Sequence, residues 1–252
     1  ENFKFKDDFL GHELDISDKY ISWGWNRKSH NVSSVGVPIS FQKKLSKKDN
    51  NVVNFILRPV ADYFKNFSTS ANPSKNSEFY INDIINIANN IDKSKKLRFF
   101  LHPTPQNILK GFKERGYPFS DYLKKRINNT NIEFFRGGYQ IQKYINTTDM
   151  NICTYLGTPY NQAISADIPC LLFHNEMYEP LNEEYRHVYN SMIKSKLMHS
   201  SPITLANQIN DEDHLISDWW NQKDTFVAKD LFCANFARKE YKKDELKEII
   251  DS

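Results

Sequence analysis

The chain has 252 residues, 14% of them aromatic, with 34 Lys and Arg against 31 Asp and Glu. That length supports one large or two small domains with a real core. A net charge of only +3 argues against a dedicated polyanion binder, so no nucleic-acid partner is expected, and no apolar run approaches the roughly 20 residues that span a bilayer.

Three cysteines, Cys153, Cys170 and Cys233, show neither a CxxC nor a metal spacing. This suits a reducing compartment, and a cytoplasmic location is expected. No secretory h-region stands at the N-terminus. The chain starts at Glu1 rather than Met, so a fragment or a processed product is the expectation.

Tyr20-Ile21-Ser22-Trp23-Gly24-Trp25 reads as a short strand ending in an aromatic pair, and Val32–Ile39 as another. Lys43-Lys44-Leu45-Ser46-Lys47-Lys48 is a basic loop: solvated in the plain reading, a contact for a membrane or a polysaccharide in the sharper one. Val52–Leu57 is a buried strand ended by Arg58-Pro59. Phe64–Ser77, rich in Ser, Asn and Lys, reads as an exposed loop. Ile81, Ile84, Ile85, Ala88 and Ile91 then recur at helical spacing.

Leu97–Leu101 is a strand followed by His102-Pro103, and a helix is expected from about Asn107 to Gly116. Asp121–Ile127 reads as a helix, Ile132–Phe135 as a strand ended by Arg136-Gly137-Gly138, and Gln140–Asn146 as a helix. Met150–Thr154 is a strand, followed by a polar turn, a short helix and a second strand through Phe173. Thr158 fits a helix N-cap and Pro159 the first helical position, where a missing N–H costs nothing. Free backbone N–H groups and the positive end of a helix just past a strand suit a phosphate. Glu183–Lys196 and Ile203–Ile209 read as helices, and Asp213–Trp220 with Thr225–Tyr241 as the tail.

Strands alternating with helices imply βαβ units, a mostly parallel sheet and right-handed crossovers. Ligands in such sheets sit at the carboxyl ends of the strands. Those ends are Arg58, His102, Arg136-Gly137-Gly138, Thr154 and His174-Asn175-Glu176.

Asp18 with Trp23-Gly24-Trp25, the unit Thr154–Phe173 with Ile168-Pro169, and the tail Trp219-Trp220, Phe232 and Phe236-Ala237-Arg238 occur in the order found in a bacterial surface-carbohydrate transferase family. The chain resembles these Leptospira-type O-antigen transferases over nearly its whole length. The resemblance implies the C-terminal, donor-binding half of a GT-B-type glycosyltransferase: an α/β, Rossmann-like three-layer domain with a helical C-terminal tail. It implies a junction over residues 1–40, a nucleotide-sugar-binding domain over 41–200 and closing helices over 201–252. The partners implied are a nucleotide-activated sugar and a glycan or lipid-linked acceptor, with peripheral contact at the inner membrane. The other GT-B half, which holds the acceptor, is expected to be missing, leaving Trp23 and Trp25 on an exposed face that drives self-association.

His102-Pro103 also resembles the His-Pro motif of sialyl- and Kdo-transferases, which use CMP-activated sugars. The resemblance makes His102 the catalytic candidate, contacting the nucleotide phosphate; the plain alternative is a strand-end histidine satisfied by backbone. Thr154, Tyr155, Gly157 and Thr158 would hold phosphate or ribose, or simply form a capped helix. Arg58 and Arg136 would clamp phosphate through a planar fork, or sit in surface ion pairs. Gly137 and Gly138 would admit a ligand close to the backbone, or make a plain turn. Asn175 and Glu176 would contact ribose or sugar hydroxyls, or belong to a solvated loop. The family usually carries Glu where this chain has Gln162. No DxD and no metal-ligand cluster stands out, so a metal-independent reaction without a cofactor is expected. The rival readings are a teichoic-acid-like polyol-phosphate transferase and a non-catalytic glycan- or partner-binding remnant.

Overall fold

The structure, a computed structural model, describes residues 14–26, 31–38, 41–43, 49, 51–58, 74–101, 119–136, 139–177, 181, 183–211 and 216–251. In chain order these form β1 (Tyr20–Ser22), β2 (Val32–Ser34), β3 (Val52–Ile56), α1 (Ser74–Asn90), β4 (Lys96–Leu101) and α2 (Phe119–Arg126). Then come β5 (Ile132–Arg136), α3 (Tyr139–Tyr144), β6 (Asn151–Cys153), α4 (Thr158–Ser165) and β7 (Leu171–Phe173). A 3-10 turn (Glu183–Tyr185) leads to α5 (Arg186–Lys194), β8 (Met198–His199), α6 (Pro202–Asn210), α7 (Ile216–Trp220), α8 (Lys223–Phe236) and α9 (Lys243–Asp251).

Among the described residues six strands make one sheet in the order β5-β4-β3-β6-β7-β8, and every pairing in it is parallel. Within this sheet the path begins at the centre with β3, winds outward to β5, returns beside β3 at β6, and winds outward the other way. This is the strand order of a doubly wound, Rossmann-like α/β domain. Every residue of β3 is buried, as a central strand covered on both faces must be. Alternation assigns the rings to opposite faces. Phe55, Phe99 and Phe134 stack across neighbouring strands at 4.7 and 5.3 Å. Phe100 and Phe135 stack at 5.3 Å, with Tyr144 of α3 against both.

Register is pinned by one polar pair. Asn54 and Asn151 are register partners, and Asn54 donates to Asn151 Oδ1 at 2.9 Å. Asn151 Nδ2 in turn lies within reach of the carbonyls of Ile145, Thr148 and Pro169. A one-residue slip would strand these amides in an apolar core, so the pair selects a single alignment.

Helices cover both faces. On one, α1 joins α6 through Asn210 Nδ2 to the Asn90 carbonyl at 2.7 Å, and joins α2 through Asn89 Nδ2 to the Arg126 carbonyl at 3.1 Å. On the other, Tyr160 of α4 meets Phe232 of α8 edge-on at 5.3 Å, and Tyr189 of α5 stacks on Phe236. Trp219, Trp220, Phe232 and Phe236 are buried core residues. Cys153 and Cys170 are buried free thiols with sulfurs 3.5 Å apart. Burial is the main cause pushing the Cys153 thiol up from its ordinary value, which keeps it inert.

Several expectations change. Helix α1 begins at Ser74, so the loop expected through Ser77 ends earlier, and Ser77 is buried. The expected Glu183–Lys196 helix is a 3-10 turn followed by α5, and the chain turns at Lys196 with φ 60°. The tail breaks after Phe236, and a separate helix, α9, follows. The helix expected from Asn107 lies outside the described residues, as do Lys44–Lys48 of the basic loop. Among the described residues no helix is long and apolar enough to cross a membrane.

Among the described residues, Trp23 and Trp25 do not form an exposed aromatic face. Trp25 is 5% exposed, packed with Leu14, Val32 and Tyr20, and Trp23 packs against the main core. That removes the stated reason for self-association. The segment is stitched to the chain's end: Arg238 N–H donates to the Trp23 carbonyl at 2.9 Å, Val37 N–H to the Arg238 carbonyl at 3.0 Å, and Lys242 N–H to the Val35 carbonyl at 2.8 Å. Gly36 makes this approach feasible. Its φ is +83°, and a Cβ there would lie 2.1 Å from the Glu240 carbonyl oxygen. Gly36→Ala should therefore lower stability by about 2 kcal/mol, from left-handed strain plus a backbone shift. Chemical denaturation reads this, and a loss under about 0.5 kcal/mol would show that the junction contributes little.

Candidate functional site

The sheet reverses its winding between β3 and β6, and the crevice outside their carboxyl ends is where doubly wound domains take ligands. Arg58 follows β3, and Thr154-Tyr155-Leu156-Gly157 follows β6 and runs into α4. Arg58 is only 5% exposed, and its guanidinium lies over the ring of Tyr80 at 4.6 Å. Desolvating a guanidinium is costly unless the surroundings compensate, and the Tyr80 ring supplies part of that compensation.

Tyr80 comes from α1, and its hydroxyl ties the two strand ends together. The Arg58 N–H donates to Tyr80 Oη at 3.1 Å. Tyr80 Oη and Thr154 Oγ1 are 2.6 Å apart, and Thr154 Oγ1 donates to the Ile56 carbonyl at 3.0 Å. A carbonyl can only accept, so the Thr154 proton goes to Ile56 and the Tyr80 proton must go to Thr154. The direction of every bond in the chain is thus set. The Thr154 hydroxyl is buried with its one proton committed, which fits a supporting group beneath the crevice.

Helix α4 begins one step earlier than the sequence reading has it. Gly157, extended at φ −154°, is the N-cap; Thr158 is the first helical residue and Pro159 the second. No side chain caps the helix. The Gly157 carbonyl accepts from Tyr160 N–H at 3.0 Å and Asn161 N–H at 3.1 Å. Among the described residues no acceptor takes the amides of Gly157 or Thr158. The Tyr155 ring lies across Gly157, where a Cβ would sit 2.2 Å from Cε2, so the glycine sets how closely the ring folds over the turn.

Arg136 ends β5, two strands from β3, about 10 Å away at the usual strand spacing; its side chain lies outside the described residues. His102, Gly137 and Gly138 also lie outside them. His102 follows Leu101, the last residue of β4, which leaves the sheet on the same side as Cys153. His174 is buried past β7. Asn175 donates to Asp83 of α1 at 3.1 Å and accepts from the Met177 N–H at 3.0 Å, which uses both ends of its amide in the fold. Glu176 pairs with Arg186 at 2.6 and 3.0 Å, and Glu183 joins the same guanidinium. Gln162 reaches the Pro38 carbonyl at 3.5 Å, at the outer limit of a hydrogen bond.

Arg58 and Thr154 are therefore brought together, Tyr155, Gly157 and Thr158 border them, and Asn175 and Glu176 sit one strand further out in local polar pairs. Tyr80 is the residue sequence reading missed. Its signal is present: Tyr80, Ile84, Ile87 and Ile91 follow one helical stripe, with a hydroxyl at the end nearest the strand tips. A cavity of about 280 Å³ lined by Lys194, Gln208, Trp219 and Asp224 lies elsewhere, where α5 and α6 end, at the amino edge of the sheet. Among the described residues no group of three or more His, Cys, Asp or Glu is placed to hold a metal ion.

A family model described as LIC12162 family transferase matches residues 9–250. No curated protein is similar enough in sequence to be matched. Among solved structures the chain is similar to TarM, at 12% identity and a TM-score of 0.48, over 100% of this chain and 48% of that one. It is also similar to an alpha,alpha-trehalose-phosphate synthase (UDP-forming) from Burkholderia vietnamiensis, at 9% identity and a TM-score of 0.45, over 97% of this chain and 58% of that one. The chain thus spans about half the length of each.

Proposed function

The chain belongs to the LIC12162 family of transferases, and from that premise we propose that it binds the nucleotide-activated donor of a GT-B-type glycosyl transfer at the crevice between β3 and β6. The observation that carries this reading is the meeting of a buried arginine, the reversal of the sheet and the start of α4 at one point. In such a reaction the bond from the anomeric carbon to the leaving phosphate oxygen breaks. Negative charge grows on the phosphate while the acceptor hydroxyl loses a proton. Stabilising that developing charge is commonly the largest catalytic contribution.

Arg58 presents a fork of donors to the phosphate. The Gly157 and Thr158 amides, at the positive end of α4, add to it. Tyr155 borders the same turn with a ring able to stack on a base or sugar. His102, following β4, is assigned to the phosphate as a hydrogen-bond donor or acid; an anion beside it would raise its pKa. Arg136 and Gly138, by their sequence position at and after the end of β5, and Asn175 and Glu176 past β7 are assigned to ribose and sugar contacts, for which Asn175 would exchange Asp83 and Glu176 would exchange Arg186. Charge stabilisation by these groups needs no metal. A CMP-linked donor is favoured by the His102-Pro103 pair, and a surface-polysaccharide acceptor by the family resemblance.

Titration calorimetry of the chain with CMP, UDP, GDP and dTDP tests this. At least one should bind at micromolar to low-millimolar Kd, with CMP tightest. A folded sample that binds none of the four would overturn the reading.

A further inference from the structure

Resting on that donor-site reading, we infer that Tyr80 is a positioning residue for the phosphate clamp. Tyr80 is fully buried, so its hydroxyl touches no ligand. Yet one residue contacts both halves of the crevice. Its oxygen takes the Arg58 N–H, its proton goes to Thr154, and Thr154 passes its own proton to the Ile56 carbonyl beside Arg58. The circuit begins and ends on the same strand exit and crosses through β6. The ring supports the other part of the same arginine, with the guanidinium over it at 4.6 Å. Backbone and side chain of Arg58 therefore both meet Tyr80, a side chain from a third element.

A flexible arginine loses rotamer freedom on closing around an anion, and holding it beforehand lowers that cost. The Tyr80 hydroxyl fixes where β3 and β6 end relative to each other; the ring fixes where the charge sits. Neither function requires contact with the donor. Both predict that damage at Tyr80 appears as weaker phosphate binding through Arg58 rather than as loss of the fold.

Tyr80→Phe keeps the ring and removes only the hydroxyl. It should keep a single cooperative melt, lowered by several degrees for the buried groups left unpaired, and weaken binding of whichever of CMP, UDP, GDP and dTDP binds wild type best by about tenfold. Thr154→Val breaks the same circuit from its other end and should give a similar loss. In ligand-free protein, hydrogen exchange of the Arg58 amide should accelerate at least about tenfold in Tyr80→Phe, as expected when a buried amide loses its acceptor, while that of Asn54 stays as in wild type. Because the action runs through Arg58, Arg58→Gln combined with Tyr80→Phe should bind no more weakly than Arg58→Gln alone, a non-additivity expected of coupled residues. Unchanged affinity in Tyr80→Phe, or an unchanged Arg58 exchange rate, overturns the inference while leaving the donor site standing. A wild-type chain that binds no nucleotide removes the donor site itself, and the inference with it.

Discussion

Asp167→Ala is expected to destabilise the chain by about 3 kcal/mol, a fall in Tm of roughly 6–12 °C for a domain of this size. Asp167 sits on the turn between α4 and β7 at φ 54°, and three donors from distant segments converge on its carboxylate. Lys43 lies at 2.7 Å, Lys229 at 3.0 Å and the Trp220 indole N–H at 2.8 Å. Lys229 is 4% exposed, with its ammonium over the Trp220 ring at 4.1 Å. Removing Asp167 leaves that ammonium buried without its carboxylate, the costly half of breaking a buried pair. The low end of the range applies because the carboxylate is itself 42% exposed and solvent screens it. In a Lys229→Met background the same substitution should cost about 1 kcal/mol or less. An equal cost in both backgrounds would show that the pair is not the cause.

The pH dependence follows from the same contacts. Burial alone would raise the Asp167 pKa, but hydrogen bonds from Lys43, Lys229 and Trp220 outweigh it and hold the carboxyl at about 2, against an ordinary 3.8. A carboxyl whose folded pKa is depressed contributes stability above its unfolded pKa and loses it as pH falls toward the folded value. The stability gap between wild type and Asp167→Ala should therefore be full above about pH 4 and narrow as pH falls toward 2. The part lost to protonation is on the order of 1–2 kcal/mol of the about 3 kcal/mol total, after screening at the exposed edge. The partners respond differently: burial pushes the Lys229 pKa down, only partly offset by Asp167. The Asp167 direction carries the pH prediction, because three donors face its carboxylate, whereas the Lys229 ammonium has the single acceptor Asp167 against its burial.

Arg58→Gln is expected to weaken nucleotide binding by about thirty- to hundredfold, the range for losing charge-assisted hydrogen bonds to an anion. Arg58→Lys should recover little of it. An ammonium carries the charge, but it neither lies flat over the Tyr80 ring nor offers two parallel donors to one phosphate. Calorimetry on the three proteins gives the comparison, with Tm reporting separately on the lost stacking, about 1 kcal/mol. Affinity within threefold of wild type in Arg58→Gln would place the anion elsewhere.

The fold was legible where pattern and burial agree. Val52–Ile56 reads as a central strand because a run covered on both faces must be apolar throughout, and the Ile81–Ile91 spacing reads as a helix because one stripe faces the sheet. Ser74–Ser77 misled because Ser, Asn and Lys suit the start of a helix as well as a loop. Met198–His199 is too short to show a period; its pairing with Leu172 and Phe173 makes it a strand. The tail breaks after Phe236 because backbone bonds to Trp23, Val35 and Val37 hold Arg238–Lys242, a tertiary cause with no local signal.

The candidate site was legible to the same degree. Strand ends place Arg58, Thr154 and the turn before α4 on one rim, since they follow from the order of the elements. The N-cap moved from Thr158 to Gly157 because either residue type suits a cap and Pro159 fits the first or second helical position. The stacking of Arg58 on Tyr80 joins residues far apart in sequence and had no local pattern to announce it. Trp25, read as a face left open, is closed by its own segment, because Leu14, Tyr20 and Val32 supply the cover.

A crystal structure with CMP, or with whichever of UDP, GDP and dTDP binds more tightly, tests the central claim most directly. The account predicts phosphate oxygens within hydrogen-bond reach of the Arg58 guanidinium and of the Gly157 and Thr158 amides, in the crevice between β3 and β6. A nucleotide seated at the amino edge of the sheet, against Trp219 and Gln208, would contradict it.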